Sequence, residues 1–118
     1  MNTEIAWVFE AALKPDAQDE VKSLVLRISD EDQAAEPDTR IFECFTDGHE
    51  LHFYERFKDS ASAEFHLKRF GENYAGPLLS ICTPTRVTVY GEPSDGVRAA
   101  MDPFGPRYLP AIAGFVRD

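Results

Sequence analysis

Basic residues are scarce in this chain and form no run: 12 Lys and Arg stand against 21 Asp and Glu, a formal charge of −9 over 118 residues. Nucleic-acid binding needs Lys and Arg to displace counterions from phosphates, so a surface of this sign opposes it, and an anionic membrane surface is disfavoured for the same reason. Long apolar runs are missing too. The longest, such as Ile5 to Phe9, are far too short to span a bilayer. Met1-Asn2-Thr3-Glu4 carries no basic n-region and no cleavable apolar segment, which sets the expectation of a cytoplasmic protein. Cys44 and Cys82 are the 2 cysteines; they make no metal-type spacing, and both are expected to be reduced and buried. No Gly-rich phosphate loop, dinucleotide fingerprint, internal repeat or low-complexity segment occurs.

What the chain does have is material for a core. Hydrophobic residues make up 43% and aromatics 12%, which excludes a disordered acidic tail. A chain of this length folds as one domain large enough to dispense with disulfides and structural metals.

The negative charge is concentrated. Between Asp16 and Asp38 there are eight acids, with only Lys22 and Arg27 to balance them. Val21, Leu24, Val25 and Ile28 recur there at helical spacing, which predicts a helix with the acids largely on its opposite, solvated face. Pro15-Asp16 supplies a start, and acids crowd the positive end of the helix dipole.

Before that helix, Ile5 to Leu13 reads as a strand ended by Lys14-Pro15. Arg40 to Thr46 and Glu50 to Phe57 read as two further strands paired through an Asp47-Gly48 hairpin. Asp59-Ser60 offers an N-cap to a second helix whose Ala63, His66, Leu67, Phe70 and Tyr74 share one face, with Gly71 expected to end or bend it. Thr85 to Tyr90 alternates as a fourth strand. The order β-α-β-β-α-β predicts an α+β, ferredoxin-like subunit with its helices on one face of an antiparallel sheet. The first three strands are apolar or aromatic on both faces, so the uncovered face is expected to meet a second copy in a symmetric dimer. Residues 1–91 form this domain. Residues 92–118 form a C-terminal extension, with a short helix capped by Ser94 and carrying Val97, Ala100, Met101 and Phe104, then a Pro-rich apolar tail expected to pack on its own domain or on the dimer partner.

Several side chains are candidates for chemistry. His66 lies on the inward helix face and has an unperturbed pKa of about 6.5, which suits a proton-transferring base; a hydrogen-bonded core histidine is the alternative. His52, Tyr54 and Arg56 share one face of the third strand, opposite Leu51, Phe53, Glu55 and Phe57. Glu55 on the apolar face is then either a buried carboxylate with an arginine partner or a catalytic acid. His49-Glu50-Leu51-His52 does not make a metal site, because residues three apart on a strand face opposite ways.

The stretch Ile41-Phe42-Glu43-Cys44-Phe45-Thr46-Asp47, then Phe53-Tyr54-Glu55-Arg56-Phe57-Lys58-Asp59 and Ala63-Glu64-Phe65-His66-Leu67, resembles the antibiotic biosynthesis monooxygenase family over residues 4–91. The resemblance implies a homodimeric α+β barrel and, for activity, a monooxygenase without metal or other cofactor that oxidises a quinol-like or polyphenolic small aromatic molecule. His66 matches the family's helix histidine beside its cavity, and Glu43 and Glu55 match strand glutamates. The site so implied has His66 as base, with Trp7, Tyr54, Tyr74, Phe70 and Glu55 around the substrate. A haem-degrading member is not expected: the first strand has no Asn, Phe57 stands where a Trp would be, and no His follows His66. A non-catalytic ligand-binding or interaction homodimer of the same fold is the alternative.

Overall fold

The computed structural model describes residues 2–117. Its sheet contains β1 (Ile5–Leu13), β2 (Thr39–Thr46), β3 (Glu50–Phe57), β4 (Cys82–Tyr90) and β5 (Arg107–Leu109) in the order β2-β3-β1-β4-β5. The first four strands pair antiparallel, and β5 adds a short parallel edge beside β4. Helices α1 (Gln18–Ala35), α2 (Ser60–Asn73), α3 (Ala75–Leu79) and α4 (Asp95–Met101) complete the chain, with a 3-10 turn at Asp102–Phe104. This is the ferredoxin-like arrangement, extended at its C-terminus. No helix among the described residues is long and apolar enough to cross a membrane.

The period-two pattern of β3 decides which side is core. Leu51, Phe53, Glu55 and Phe57 are buried under the helices, and His52, Tyr54 and Arg56 face the other way, half-buried. On β1 the inward set is Ile5, Trp7, Phe9 and Ala11. Phe57, Val89, Ala63 and Val97 are fully enclosed between sheet and helices. Burying a side chain such as Phe57 stabilises the fold by roughly 1.5–3 kcal/mol.

Helix α2 starts as its sequence directs. The Asp59 carboxylate accepts from the Ser62 backbone N–H, and the Ser62 hydroxyl accepts from that of Asp59, a reciprocal capping box. In the extension, the Ser94 hydroxyl accepts from Val97 N–H and caps α4.

Four local expectations differ from the structure. Gly71 does not end α2, which runs on to Asn73 because Phe70 and Tyr74 on either side of it pack onto the core and outweigh the modest cost of a helical glycine, about 1 kcal/mol. Asp16 does not cap α1; it takes a left-handed φ of 65° in the preceding turn, and the helix opens at Gln18 with no side-chain cap. Strand β4 begins at Cys82, earlier than Thr85, with the ladder shifting register opposite Glu10 and Ala11, where Pro84 enters the sheet without an N–H to donate. Cys44 is only half-buried, since β2 is an edge strand, whereas Cys82 is buried; both are free thiols.

The sheet face turned away from the helices carries Val8, Ile41, Phe45, Tyr54 and Tyr90 among charged neighbours, and Phe45 is 55% exposed. In the extension, Gly91 N–H donates to Leu109 C=O as β5 joins the sheet. Beyond it Ile112 and Phe115 stand 98% and 79% exposed.

Candidate functional site

The centre of the site follows from one register position. In the β1–β3 ladder Trp7 lies directly opposite Glu55, both side chains pointing under the helices, and the indole Nε1–H donates to Oε2 of Glu55 at 2.8 Å. Above them α2 delivers His66, whose Nε2 sits 2.8 Å from the other Glu55 oxygen, Oε1. The imidazole is 4% exposed and lies against the rings of Phe57 and Trp7, at centroid distances of 4.9 and 6.1 Å.

Its second nitrogen turns to α1. Nδ1 of His66 donates to Oε1 of Glu36 at 2.8 Å and lies 3.6 Å from Oδ2 of Asp32. Arg69, one helical turn beyond His66, reaches back with Nη1 to Oδ1 of Asp32 at 2.5 Å and Oε2 of Glu36 at 2.6 Å. The Thr39 hydroxyl also donates to Glu36. At the edge of the network, the Tyr74 hydroxyl donates to Glu31. Burial and that bond push the Tyr74 phenol up.

Burial by itself would drive the His66 imidazolium down, but the Glu55 charge and the hydrogen bonds to Glu36 and Glu55 prevail and raise it to about 10. Glu36 moves the opposite way: burial would raise it, and the His66 contact and the Thr39 hydroxyl lower it to about 2. Asp32, desolvated and beside Glu36, rises to about 7. Two adjacent buried carboxylates do not both ionise freely, so this pair titrates as a unit.

A narrow cavity opens beside the Glu55–His66 pair. Trp7, Phe53, Leu78 and Met101 form its walls, and half-buried Phe42, Leu67, Phe70 and Phe104 rim it. Glu55 and His66 are its polar lining residues. It leaves about 40 Å³ for the centres of water-sized molecules, room for roughly three waters.

Of the side chains read as a site, the fold gathers Trp7, Glu55, His66 and Phe70 around one cavity. Tyr54 does not join them. It lies on the opposite face of the sheet, because alternation along β3 separates it from Glu55. Tyr74 is buried but outside the cavity lining, its hydroxyl held by Glu31. Glu43 is exposed on the outer face of β2. The buried partner of Glu55 is a histidine and a tryptophan, not an arginine, and the upward shift of His66 disfavours the neutral imidazole that a base at this position requires.

Four members of the network went unseen in sequence: Asp32, Glu36, Arg69 and Thr39. The acids of α1 do not all coat a solvated face, since Asp32 and Glu36 are only 2% and 4% exposed. A signal for Asp32 existed. The apolar stripe Val21, Leu24 and Ile28 steps next to position 32, so Asp32 occupies a core position of the same helix face.

No family sequence profile matches the chain, and no curated protein matches it by sequence. Solved structures do. The chain superposes on MupZ from Pseudomonas fluorescens with a TM-score of 0.85 at 18% identity, covering 99% of this chain and 91% of that one. A cofactor-independent oxygenase from Streptomyces nogalater, SnoaB, matches with a TM-score of 0.64 at 14% identity, over 78% of this chain and 95% of that one. A structure described as an antibiotic biosynthesis monooxygenase matches with a TM-score of 0.55 at 26% identity, over 72% and 92%. Element order, sheet order and these superpositions agree: the chain has the ferredoxin-like fold of the antibiotic biosynthesis monooxygenases.

Proposed function

We infer that the protein is a cofactor-independent monooxygenase acting on a quinol-like or polyphenolic small molecule. The observation that carries this reading is the Glu55–His66 ion pair set into the wall of an aromatic cavity. Oxidising such a compound without metal or flavin requires a base to form its anion, an apolar enclosure, and positive charge to steady the anion. Glu55 takes the proton of the bound phenol, and the His66 imidazolium, 2.8 Å from Oε1, stabilises the anion that results. The electron-rich anion then reduces dioxygen: one ring carbon loses its hydrogen and gains an oxygen atom, and the second oxygen leaves as water with that hydrogen and the phenol proton taken by Glu55. Entry of a phenolic ring requires the rim side chains Phe42, Phe70 and Phe104 to turn outward, given the small volume of the cavity.

Oxygen uptake with a panel of quinols tests this. The wild type is expected to turn over at least one of them, and Glu55→Gln to lose about 10²–10⁴-fold in rate, the range of a general base. Unchanged turnover in Glu55→Gln overturns the role of Glu55. Trp7 is the sole tryptophan and lines the cavity, so quenching of its fluorescence reads binding independently of turnover. Quenching without oxygen uptake favours the second reading, a non-catalytic ligand-binding dimer, which the full occupation of both His66 nitrogens speaks for.

The outer sheet face, with Val8, Ile41, Phe45 and Tyr54, is the surface of a homodimer in this proposal, with the exposed Ile112 and Phe115 of the tail reaching the partner. Light scattering at micromolar concentration is expected to give twice the chain mass, and Phe45→Asp to shift it toward the monomer. A monomeric wild type rules the dimer out.

A further inference from the structure

Behind His66, on the side away from the cavity, three ligand-type atoms converge. His66, Glu36 and Asp32 each offer one ligand atom within 4.8 Å of the other two, and Nδ1 of His66 faces Oε1 of Glu36 and Oδ2 of Asp32. The first lies 2.8 Å from the second and 3.6 Å from the third. Donor atoms held at about 2.0–2.2 Å from one tetrahedral ion stand roughly 3–3.6 Å apart, so modest side-chain adjustment brings the trio into register. All three residues are more than nine-tenths buried.

The oxygens that face away from this gap are already committed. Arg69 holds Oδ1 of Asp32 and Oε2 of Glu36. Nε2 of His66 faces the Glu55 carboxylate, which Trp7 in turn fixes through its indole N–H. Metal-binding histidines commonly donate their second ring N–H to a carboxylate, and ligating carboxylates are themselves hydrogen-bonded. The carboxylates have that support through Arg69 and Thr39, and a carboxylate stands 2.8 Å from the second ring nitrogen of His66.

An independent observation points into the same gap. Oδ2 of Asp32, although buried, has no hydrogen-bond partner among the described residues, and it is the Asp32 oxygen 3.6 Å from Nδ1 of His66. A buried carboxylate oxygen left this way is costly, and a ligand there removes the cost.

We propose that Asp32, Glu36 and His66 form a binding site for a divalent transition-metal ion of the zinc type, oriented by Glu55, Arg69 and Thr39. One imidazole and two carboxylates suit zinc, cobalt or manganese. The ion takes the place of the proton on Nδ1, which goes to solvent, while Nε2 keeps its ion-pair distance of 2.8 Å to Oε1 of Glu55. Asp32 and Glu36 do not line the cavity, so the ion ties α1 to α2 and does not touch a molecule bound there. Because the ion displaces the Nδ1 proton, it also removes the imidazolium that the oxygenase reading assigns to His66; metal binding is measured without turnover, so the failure of one reading is distinguishable from the failure of the other.

The surface offers a built-in control, because Glu10, Glu50 and His52 make an exposed cluster that attracts metal adventitiously. The full chain, stripped with chelator, is titrated with Zn²⁺ by calorimetry and with Co²⁺ by visible absorption, alongside His52→Ala and Asp32→Asn. One equivalent is expected to bind to wild type and His52→Ala alike, raising the melting temperature and giving cobalt d–d bands, and Asp32→Asn is expected to bind about tenfold more weakly or worse. Saturating Co²⁺ should also broaden and shift the His66 ring resonances of the wild type, a reading that needs no substituted protein to fold. Unperturbed His66 resonances, no binding at millimolar Zn²⁺, or binding lost with His52→Ala and kept in Asp32→Asn each overturn the proposal.

Discussion

Replacing His66 with alanine is expected to destabilise the protein by about 3–5 kcal/mol, the cost of removing one partner from a buried ion pair. The side chain is 4% exposed and meets Glu55 through one ring nitrogen and Glu36 through the other. Without it, Asp32, Glu36 and Glu55 remain in the core with Arg69 as the cation held against Asp32 and Glu36, and no cation at Glu55. A domain of this size has only about 5–15 kcal/mol in all, so the variant sits near the edge of folding. Urea denaturation measures the loss as a lowered midpoint. Pairing His66→Gln with Glu55→Gln is expected to cost less than the sum of the two single changes, because the second substitution removes the charge that the first leaves unpaired. A loss below about 1 kcal/mol for His66→Ala, the size of a surface ion pair, contradicts the buried network.

Stability is expected to peak on the acid side, near pH 4–5, and to fall as the pH rises toward 10. Three groups set the slope. Glu36 has a folded pKa of about 2, below its ordinary 4.5. Between those values the unfolded chain binds the extra proton, so stability is lost as pH falls through this window. Asp32 and His66 have folded values of about 7 and about 10, above their ordinary 3.8 and 6.5. For each the folded protein holds a proton that the unfolded chain has released, so stability falls from about pH 4 to 7 for Asp32 and from about 6.5 to 10 for His66. Each such window contributes on the order of 1 kcal/mol per pH unit. Urea midpoints measured from pH 3 to 9.5 check the curve. Asp32→Asn should flatten the stretch between pH 4 and 7 while leaving the decline above it. A wild-type profile that is level or rising from pH 5 to 9 contradicts the assignment.

The frame of the molecule was legible because it rests on local periodicity. The alternation from Glu50 to Phe57 and the stripe Val21, Leu24, Ile28 each follow from one segment's geometry, and the hairpin at Asp47-Gly48 from the turn chemistry of two residues. His66, Trp7 and Glu55 stood out for the same reason: each occupies an inward position of a predicted element. The resemblance carried by the second and third strands and by His66-Leu67 points to the fold that the solved structures share.

The chemistry of the site was less legible. Asp32 falls on the core stripe of α1, but an acid in an acid-rich helix reads as solvated until a partner for it is known. That partner comes from another element: Arg69 is 37 residues away in sequence, and Glu36 and His66 are 30 apart. Likewise Tyr54 and Glu55 are neighbours in sequence and are parted to opposite faces only by the pleat.

Sequence by itself therefore determined the order of elements, the buried face of each and the overall sign of the surface, since these depend on spacing and composition along the chain. Only the tertiary structure decided that His66 is set between Glu36 and Glu55, which raise its pKa, that Glu55 meets Trp7 and His66 at the cavity wall, and that some of the acids lie inside. The protonation of a buried group is set by the charges within a few ångströms of it, and in this protein those charges arrive from strands and helices that the chain order keeps far apart.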